Sequence, residues 1–484
     1  MNAPVRRVAV AVLVMFGLLF VNLNYVQFVQ ADKLRRNDGN KRLLLQTYDR
    51  QRGSIVVNGK AVAVSIATND KLKYLRTYPG GPTYAHVTGY YSLVYGSSAI
   101  EKAEDSVLSG DDDRLLIRRV SDLITKGRTP RGGDAVLTLN ADAQAMATSL
   151  LRGRRGSVVA MDPRSGAILT MVSSPTYDPG PLASHDVAKI RAAWTPLASN
   201  LQKPLLNRAI QETYSIGSTM KVIISATALQ NGYTPSTQIP APRTYTPPQT
   251  SVPLPNYDGT TCSGTGHQTL ADALRVSCNT AFAGLGVKLG ADKIKAQAAQ
   301  FGVGDKLSIP MRVAVSDLGQ LADPPQVAQS SIGQRDVRLT PLQNCMVAAA
   351  VANNGTLNTP YLVQELDAPG FQPIFRASPT VLHHPMPADV ASQLQGMMVG
   401  VVDSGTGTQA KVPGFVVGGK TGTAQNGNGS PDHGWFIGFA GKEGEAPPIA
   451  IAVVLEQAGR GGSHDASLIA GKVMKAYLDS PAAR

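Results

Sequence analysis

The sequence of 484 residues has few cysteines, few aromatic residues and no run of positive charge. Only 3 residues are cysteine, and aromatic residues make up 6% of the chain. The formal net charge is +12, but the lysines and arginines are scattered, which argues against a nucleic-acid-binding segment. No long segment lacks apolar residues and no internal repeat is present, so fibrous and repeat architectures are excluded.

The remaining composition is that of an ordinary globular protein, with 43% hydrophobic and 17% charged residues. A chain of this length exceeds one ordinary hydrophobic core and predicts two or three domains. A basic chain can bind anionic polymers or lipid, but scattered charge is explained most simply by solubility beside an anionic envelope.

An apolar run near the N-terminus predicts a membrane anchor. Arg6 and Arg7 precede a run from about Val8 to Phe28, and about 20 apolar residues span a bilayer. Because positive charge stays on the cytoplasmic side, the rest of the chain is expected outside the cell membrane. A cleaved signal peptide would need a small-x-small cleavage site, which residues 24–31 lack, and a buried core helix would rarely be so uniformly apolar. Residues 1–31 are therefore interpreted as a cytoplasmic stub and a single-pass signal-anchor.

An exterior location permits a disulfide between Cys262 and Cys278. Closing a loop of about 15 residues would contribute roughly 3 kcal/mol in the chain-entropy model. The alternative is two free thiols that never meet. Cys345 lies in the apolar run 345–350 and is expected to be a buried small hydrophobic residue.

The pattern beyond the anchor predicts two further domains. Residues 32–49 resemble a polar linker, and the turn-rich segment 127–133 marks a boundary, so 32–132 and 133–484 are the expected domains. A strand over 136–139 and a helix over 141–151 open the second domain. Two β-rich runs then flank the turn at 162–166, which predicts a hairpin.

Three more strand-like runs lie near the C-terminus, at 415–423, 434–440 and 449–456, before a final helix over 466–478. A mainly helical block with proline-rich loops at 238–256 separates the two sets of strands. Strands at both ends with helices between them predict one α/β sandwich whose sheet is closed by its two ends.

Ser218-Thr219-Met220-Lys221 is the first of three short motifs. It follows a turn and opens an apolar helix over 222–229. Residues three apart share a helix face, so Ser218 Oγ and Lys221 Nζ can meet. A serine hydroxyl needs a base to become a nucleophile, and Lys221 serves if burial or a nearby cation lowers its pKa. Alone the pattern is weak, since Ser218 in this position equally fits a helix N-cap.

The second and third motifs supply what such a nucleophile would need. In Ser277-Cys278-Asn279, Ser277 could relay a proton to a leaving nitrogen and Asn279 could bond a substrate amide; a capping turn is the alternative. Lys420-Thr421-Gly422-Thr423 lies on an edge-like strand, which can pair with an extended peptide. There Lys420 and the threonine hydroxyls can hold a carboxylate, and Gly422 permits close approach, although a β-turn after a strand fits too.

The three motifs in this order resemble the set found in penicillin-binding proteins and serine β-lactamases, with Cys278 in place of the usual Asp. The whole chain resembles the class B penicillin-binding proteins. Arg52-Gly53-Ser54-Ile55 is similar to the first non-catalytic motif without its following Asp-Arg, and 95–101 is similar to Gly-x-x-Gly-x-Glu with Ala99 for the second Gly. Further similar segments are Asp162-Pro163 with Gly166, Ser174-Pro175-Thr176-Tyr177-Asp178-Pro179, Asn207-Arg208-Ala209, Ile332-Gly333-Gln334, Thr340-Pro341-Leu342-Gln343, Gly405-Thr406-Gly407-Thr408 and Trp435-Phe436-Ile437-Gly438.

The resemblance implies a penicillin-binding transpeptidase sandwich, similar to serine β-lactamases, with a five-stranded antiparallel sheet, helices on both faces and an N-terminal pedestal domain. It implies a peptidoglycan D,D-transpeptidase that cross-links stem peptides through a Ser218 acyl-enzyme, is acylated by β-lactams and needs no metal or organic cofactor. The backbone N–H groups of Ser218 and Thr423 would form the oxyanion hole. A lipid-embedded glycan polymerase of the division or elongation machinery is the expected partner.

Four other functions compete with this interpretation. A D,D-carboxypeptidase has the same chemistry with water as acceptor, but it usually has a different membrane attachment and no large pedestal. A serine β-lactamase needs a placed general base, and no clear Glu motif lies between Ser277 and Lys420. A β-lactam receptor needs a cytoplasmic output, for which the segment before the anchor is short. A β-lactam-binding cell-division scaffold would leave no motif.

Overall fold

The structure, a computed structural model, describes residues 2–30, 48–115, 131–370, 372–425 and 429–481. The predicted linker up to residue 47 and the predicted junction up to residue 130 lie outside these ranges.

The apolar N-terminal run forms one continuous helix. The α-helix Asn2–Asn24 continues into a π-helical turn over Tyr25–Val29. Residues Ala3–Val29 are long and apolar enough to cross a membrane, and the most apolar part of this stretch is not buried against the rest of the chain. The helix therefore does not belong to a hydrophobic core, which was one of the alternatives.

The helices of the described residues are α1 (Asn2–Asn24), α2 (Ala85–Thr88), α3 (Ala99–Ala103), α4 (Asp105–Ser109), α5 (Ala141–Leu150), α6 (Val187–Ala198), α7 (Arg208–Gln211), α8 (Met220–Leu229), α9 (Leu270–Arg275), α10 (Asn279–Leu289), α11 (Ala291–Gln300), α12 (Pro324–Ser330), α13 (Pro341–Ala352), α14 (Ala388–Ser404) and α15 (Gly462–Leu478). Their strands are β1 (Ile55–Val57), β2 (Lys60–Ala67), β3 (Tyr74–Thr77), β4 (Tyr91–Ser92), β5 (Gly96–Ser97), β6 (Asp134–Leu137), β7 (Gly156–Met161), β8 (Ile168–Ser174), β9 (Gln238–Pro240), β10 (Thr244–Tyr245), β11 (Leu254–Pro255), β12 (His267–Thr269), β13 (Leu357–Asn358), β14 (Val363–Ala368), β15 (Gln372–Arg376), β16 (Val381–His383), β17 (Val416–Ala424), β18 (His433–Gly441) and β19 (Ile449–Leu455).

A five-stranded antiparallel sheet forms the centre of the catalytic half. Its order is β17-β18-β19-β7-β8, so the two ends of this half meet where β19 pairs with β7. Side chains alternate between its faces, as the two-residue period of a strand requires. Val158 and Ala160 join one core with α5 and α15, while Val159 and Met161 join another with α13. The predicted sandwich with helices on both faces is confirmed, and β17 is an edge strand.

A second sheet spans the predicted domain boundary. Its order is β15-β14-β6-β1-β2-β3, and β6 pairs parallel with β1 and antiparallel with β14. The strand expected at 136–139 is therefore found at Asp134–Leu137, beside strands of the N-terminal half. The segment 238–256, where proline-rich loops were expected, also contains the short strands β9 to β11.

A buried ion-pair network organises the N-terminal half. Glu101 is fully buried, and its two carboxylate oxygens accept 2.6 Å hydrogen bonds from Arg52 Nε and Arg76 Nε. Arg76 also donates to the Gly53 carbonyl. Burial raises the pKa of Glu101, but the two guanidinium groups outweigh it and the pKa is lowered overall. The network joins the two non-catalytic segments that the sequence singled out.

Glu101→Ala is expected to lower the free energy of unfolding by about 3–5 kcal/mol, because it leaves two buried arginines without a counter-charge. Denaturant unfolding followed by tryptophan fluorescence measures it, since Trp194 stacks on Tyr95 of this half with ring centroids 4.1 Å apart. The control is Asp105→Ala, which removes a half-exposed partner of Arg52 and should cost less than about 1 kcal/mol. Equal stability of the two variants would contradict the assigned role of Glu101.

Candidate active site

The turn that carries Ser218 is built against the edge strand β17. Gly217, Ser218 and Thr219 form a single 3₁₀ turn that leads into α8. Gly217 has φ +53°, and a Cβ there would come within 2.2 Å of the Thr423 carbonyl oxygen, so only glycine fits. Ser218 itself is half-buried. Trp435 Nε1 donates to the Ser215 carbonyl at 2.9 Å and ties the turn to β18.

The Lys221 side chain is fully buried one helical turn after Ser218. Its Nζ donates to the Ser277 carbonyl at 2.7 Å, to Ser277 Oγ at 3.2 Å and to Asn279 Oδ1 at 2.7 Å. Among the residues that the structure describes, no hydrogen bond joins it to Ser218 Oγ. Contacts of catalytic groups are often long without substrate, so this arrangement is compatible with proton transfer once a substrate is bound.

Ser277 lies between two lysines. Its Oγ is 3.2 Å from Lys221 Nζ and 2.9 Å from Lys420 Nζ. Ser277 has φ +62°, an uncommon conformation for a residue with a side chain, and it follows directly after the turn that ends α9. Cys278 is the N-cap residue of α10 and forms a disulfide with Cys262. The covalent bond therefore holds the segment next to the hydroxyl that joins the two lysines.

The Lys420-Thr421-Gly422-Thr423 motif lies in β17, and Lys420 is fully buried. Lys420 Nζ donates to the Thr421 carbonyl at 2.9 Å, and Thr421 Oγ1 shares a 2.6 Å hydrogen bond with Thr406 Oγ1. A Cβ at Gly422 would come within 2.6 Å of the Ile216 carbonyl oxygen. The strand therefore packs directly on the turn that carries Ser218, and glycine makes that approach possible.

Burial sets the protonation of both lysines. It lowers the pKa of Lys221 well below its ordinary value, and the positive charge of Lys420 lowers it further. Burial also lowers the pKa of Lys420 to about 7. A lysine with a lowered pKa is neutral in a substantial fraction of molecules near neutral pH, which is what a general base requires.

Two supporting groups were given no role by the sequence. Glu456, directly after β19, accepts from Arg208 Nε at 2.7 Å and from the Tyr214 hydroxyl at 2.8 Å, and it also pairs with Arg155. Burial raises the pKa of Glu456, but these donors outweigh it and lower the pKa overall. The network fixes Tyr214, four residues before Ser218. The second group is Thr406, whose hydroxyl is hydrogen-bonded to that of Thr421. In the sequence, these two groups were indicated only by the similar segments that contain Arg208 and Thr406.

The structure thus brings the predicted residues together from three separate segments. Hydrogen bonds connect Lys221, Ser277, Asn279, Lys420 and Thr421, while Ser218 and Thr423 lie in the turn and the strand that pack on each other. Within the described ranges, no group of three or more His, Cys, Asp or Glu side chains is arranged to hold a metal ion. A serine, two buried lysines with lowered pKa values and an edge strand suit acyl transfer.

Comparison with known proteins agrees with this chemistry. Residues 156–477 match the family described as the penicillin binding protein transpeptidase domain, and residues 52–135 match the penicillin binding protein A dimerisation domain. The peptidoglycan D,D-transpeptidase PbpA of Mycolicibacterium smegmatis is 44% identical over 95% of this chain and 94% of its own length. PbpA of Mycobacterium tuberculosis is 40% identical over 99% of both chains.

Solved structures of the M. tuberculosis penicillin-binding protein A are similar over most of this chain. Its ceftriaxone acyl-enzyme superposes with a TM-score of 0.87 at 40% identity, covering 90% of this chain and 100% of that one. Its penicillin G acyl-enzyme gives 0.85, at the same identity, over 89% of this chain and 100% of that one. The matched transpeptidase domain, the matched pedestal and the shared architecture lead to one conclusion: this chain belongs to the class B penicillin-binding proteins.

Proposed function

We propose that this chain is a peptidoglycan D,D-transpeptidase whose acyl-enzyme forms on Ser218. Ser218 Oγ attacks the carbonyl carbon of the D-alanyl-D-alanine amide, the C–N bond breaks, and the terminal D-alanine leaves with a proton on its nitrogen. The amine of a neighbouring stem peptide then attacks the resulting ester and releases Ser218. The convergence of Lys221, Ser277 and Lys420 behind the Ser218 turn is the observation that carries the proposal.

Lys221 is the general base in this scheme and Ser277 the relay. The neutral amine of Lys221 takes the proton of Ser218 Oγ. Ser277 Oγ, within 3.2 Å of Lys221 Nζ, passes a proton on to the leaving nitrogen. The side-chain oxygen of Asn279 accepts a hydrogen bond from Lys221 Nζ. The NH₂ group of Asn279 therefore remains available to donate to a substrate carbonyl.

The edge strand holds the donor. Lys420 and the hydroxyls of Thr421 and Thr423 bind the carboxylate of the terminal D-alanine by charge and hydrogen bonds. The backbone N–H groups of Ser218 and Thr423 stabilise the oxyanion that develops on the scissile carbonyl. The packing of Gly217 against Thr423 supports this assignment, because it puts the two N–H groups on adjoining backbone segments.

The second-order rate constant for acylation by penicillin is expected to fall as the pH rises through about 7. Burial lowers the pKa of Lys420 to about 7, so the ammonium that attracts the donor carboxylate is lost above that pH. The fraction of Lys221 that is neutral increases as the pH rises. The plot of the acylation rate constant against pH should therefore rise on the acid side and then fall. Penicillin acylation measured between about pH 5.5 and pH 9 gives the profile. A rate that climbs steadily to pH 9 would contradict the role of charged Lys420.

The N-terminal helix supports a location at the cell membrane, with the catalytic half outside. Arg6 and Arg7 precede the apolar stretch, and positive charge marks the cytoplasmic end. Residues 32–132 are proposed as the pedestal and 133–484 as the transpeptidase domain, a division supported by the matched ranges 52–135 and 156–477. The proposed partner is a lipid-embedded glycan polymerase that supplies nascent strands.

A cross-linking assay on lipid-linked substrate, with and without a polymerase, tests the function. Dimeric stem peptides in the presence of polymerase are the expected product. Released D-alanine without dimers would indicate a D,D-carboxypeptidase instead. If the chain is acylated by penicillin but yields neither product, the scaffold interpretation is favoured.

A further inference from the structure

The outer edge of β17 is partly occupied by a glutamine side chain. The sheet order leaves one side of β17 without a strand, and Thr423 and Gln425, two residues apart, point their backbone groups to the same side. Gln334 Nε2 donates to the Thr423 carbonyl at 3.2 Å, and the Gln425 N–H donates to Gln334 Oε1 at 3.3 Å. The carboxamide thus makes the pair of bonds that two successive peptide groups of an added strand would make, one through its N–H and the other through its C=O.

The backbone around Gln334 is fixed to the Ser218 turn. The carbonyl of Gly333, the residue before it, accepts from Gly217 N at 2.9 Å and from Ser215 Oγ at 2.8 Å. Gly333 has φ +71°, and a Cβ there would come within 1.9 Å of the Gly217 carbonyl oxygen. Gln334 N in turn donates to the Gln329 carbonyl at 3.1 Å. The carboxamide is therefore presented to the strand edge from a backbone that cannot easily move away.

An acyl donor that pairs with this edge needs the groups that Gln334 uses. With its scissile carbonyl at Ser218 and the Thr423 N–H, a donor places the next amide N–H of its chain at the Thr423 carbonyl. An extended peptide that continues along the edge offers a carbonyl to the Gln425 N–H as well and replaces both bonds. A short donor with a single amide N–H replaces only the bond to the Thr423 carbonyl, so displacing the carboxamide also loses its bond with the Gln425 N–H and puts no acceptor in its place.

We propose that Gln334 is a specificity-determining residue that favours extended peptide donors over short acylamino donors by competing for the Thr423 carbonyl and the Gln425 N–H. The proposal rests on Ser218 as the acylated residue, as set out under the proposed function. It concerns the selection of donors and assigns Gln334 no part in the proton transfers.

Gln334→Met tests the proposal, because methionine has a similar length and neither donates to the carbonyl nor accepts from the N–H. Two β-lactams serve as probes. Penicillin G carries one acylamino N–H beside its reactive ring, while imipenem carries a hydroxyethyl group and no amide there. We expect the ratio of the acylation rate constants, penicillin G over imipenem, to rise about threefold to tenfold, the range that one hydrogen bond covers. Stopped-flow mixing with the full-length chain in detergent measures both rate constants.

Gln329→Met is the matched control, since Gln329 is exposed on α12 and contributes only its backbone carbonyl to Gln334. Gln334→Glu is the second variant, because its carboxylate keeps the bond from Gln425 N but cannot donate to Thr423; its ratio should rise as well. An unchanged ratio in both Gln334 variants, or a fall of both rate constants in parallel, overturns the proposal. Failure of either drug to acylate the wild-type chain at Ser218 would instead contradict the proposed function, which separates the two tests.

Discussion

Ser218→Ala is expected to lower the rate of covalent labelling by a fluorescent penicillin at least about 10³-fold, which in practice abolishes labelling, while the chain remains folded. The substitution removes the only side-chain atom that the proposed mechanism acylates. It removes little packing, because Ser218 is half-buried and, among the described residues, its Oγ makes no hydrogen bond. The turn around it is fixed by contacts of Gly217, Ser215 and Trp435, which the variant keeps.

Ser225→Ala is the matched control for this experiment. Ser225 lies on α8, the helix that follows the Ser218 turn, and is fully buried, with an Oγ that has no hydrogen-bond partner among the described residues. Its substitution should leave labelling intact, so a loss confined to Ser218→Ala is due to the nucleophile and not to a disturbed helix. Labelling of Ser218→Ala at the wild-type level, with an unchanged thermal midpoint, would show that another residue is acylated.

Much of the fold follows from local patterns in the sequence. The β-branched runs on either side of residues 162–166 predict the β7–β8 hairpin, and the three C-terminal runs correspond to β17, β18 and β19. The partner of β6 could not be predicted in this way. The four residues of β6 carry no information about which sheet they join. Their parallel pairing with β1 depends on the path of the intervening chain.

The site was predictable in its parts but not in its contacts. Helical spacing places Ser218 and Lys221 on one face, but it does not determine which acceptors the lysine chooses. The Ser277 carbonyl and Asn279 Oδ1 draw Lys221 Nζ toward the second motif, since a buried amine needs its acceptors. The positive φ of Ser277 and the Glu456 network depend on tertiary packing between segments far apart in sequence, which no local pattern reports.

Lys221→Ala should slow acylation by penicillin at least about 10²-fold, the usual scale for a lost general base. The expected loss has a specific physical origin. Burial and the nearby charge of Lys420 lower the pKa of Lys221, so its amine is available as a base near neutral pH, whereas an exposed lysine would be protonated. Lys221→Met removes the amine but fills most of its buried space. It should lose activity to the same degree, which separates the loss of a base from the loss of packing.

Lys288→Ala provides the comparison, because this exposed lysine on α10 contacts the ring of Tyr233 and lies outside the hydrogen-bonded set around Ser277. Its acylation rate should remain within about twofold of wild type. Near-normal acylation in both Lys221 variants would assign the base elsewhere. Lys420 would then be the first candidate, since its Nζ lies 2.9 Å from Ser277 Oγ and burial lowers its pKa to about 7. Two buried lysines that share one serine hydroxyl cannot both be charged at little cost, so the amine that gives up its proton first is the one positioned to act as the base.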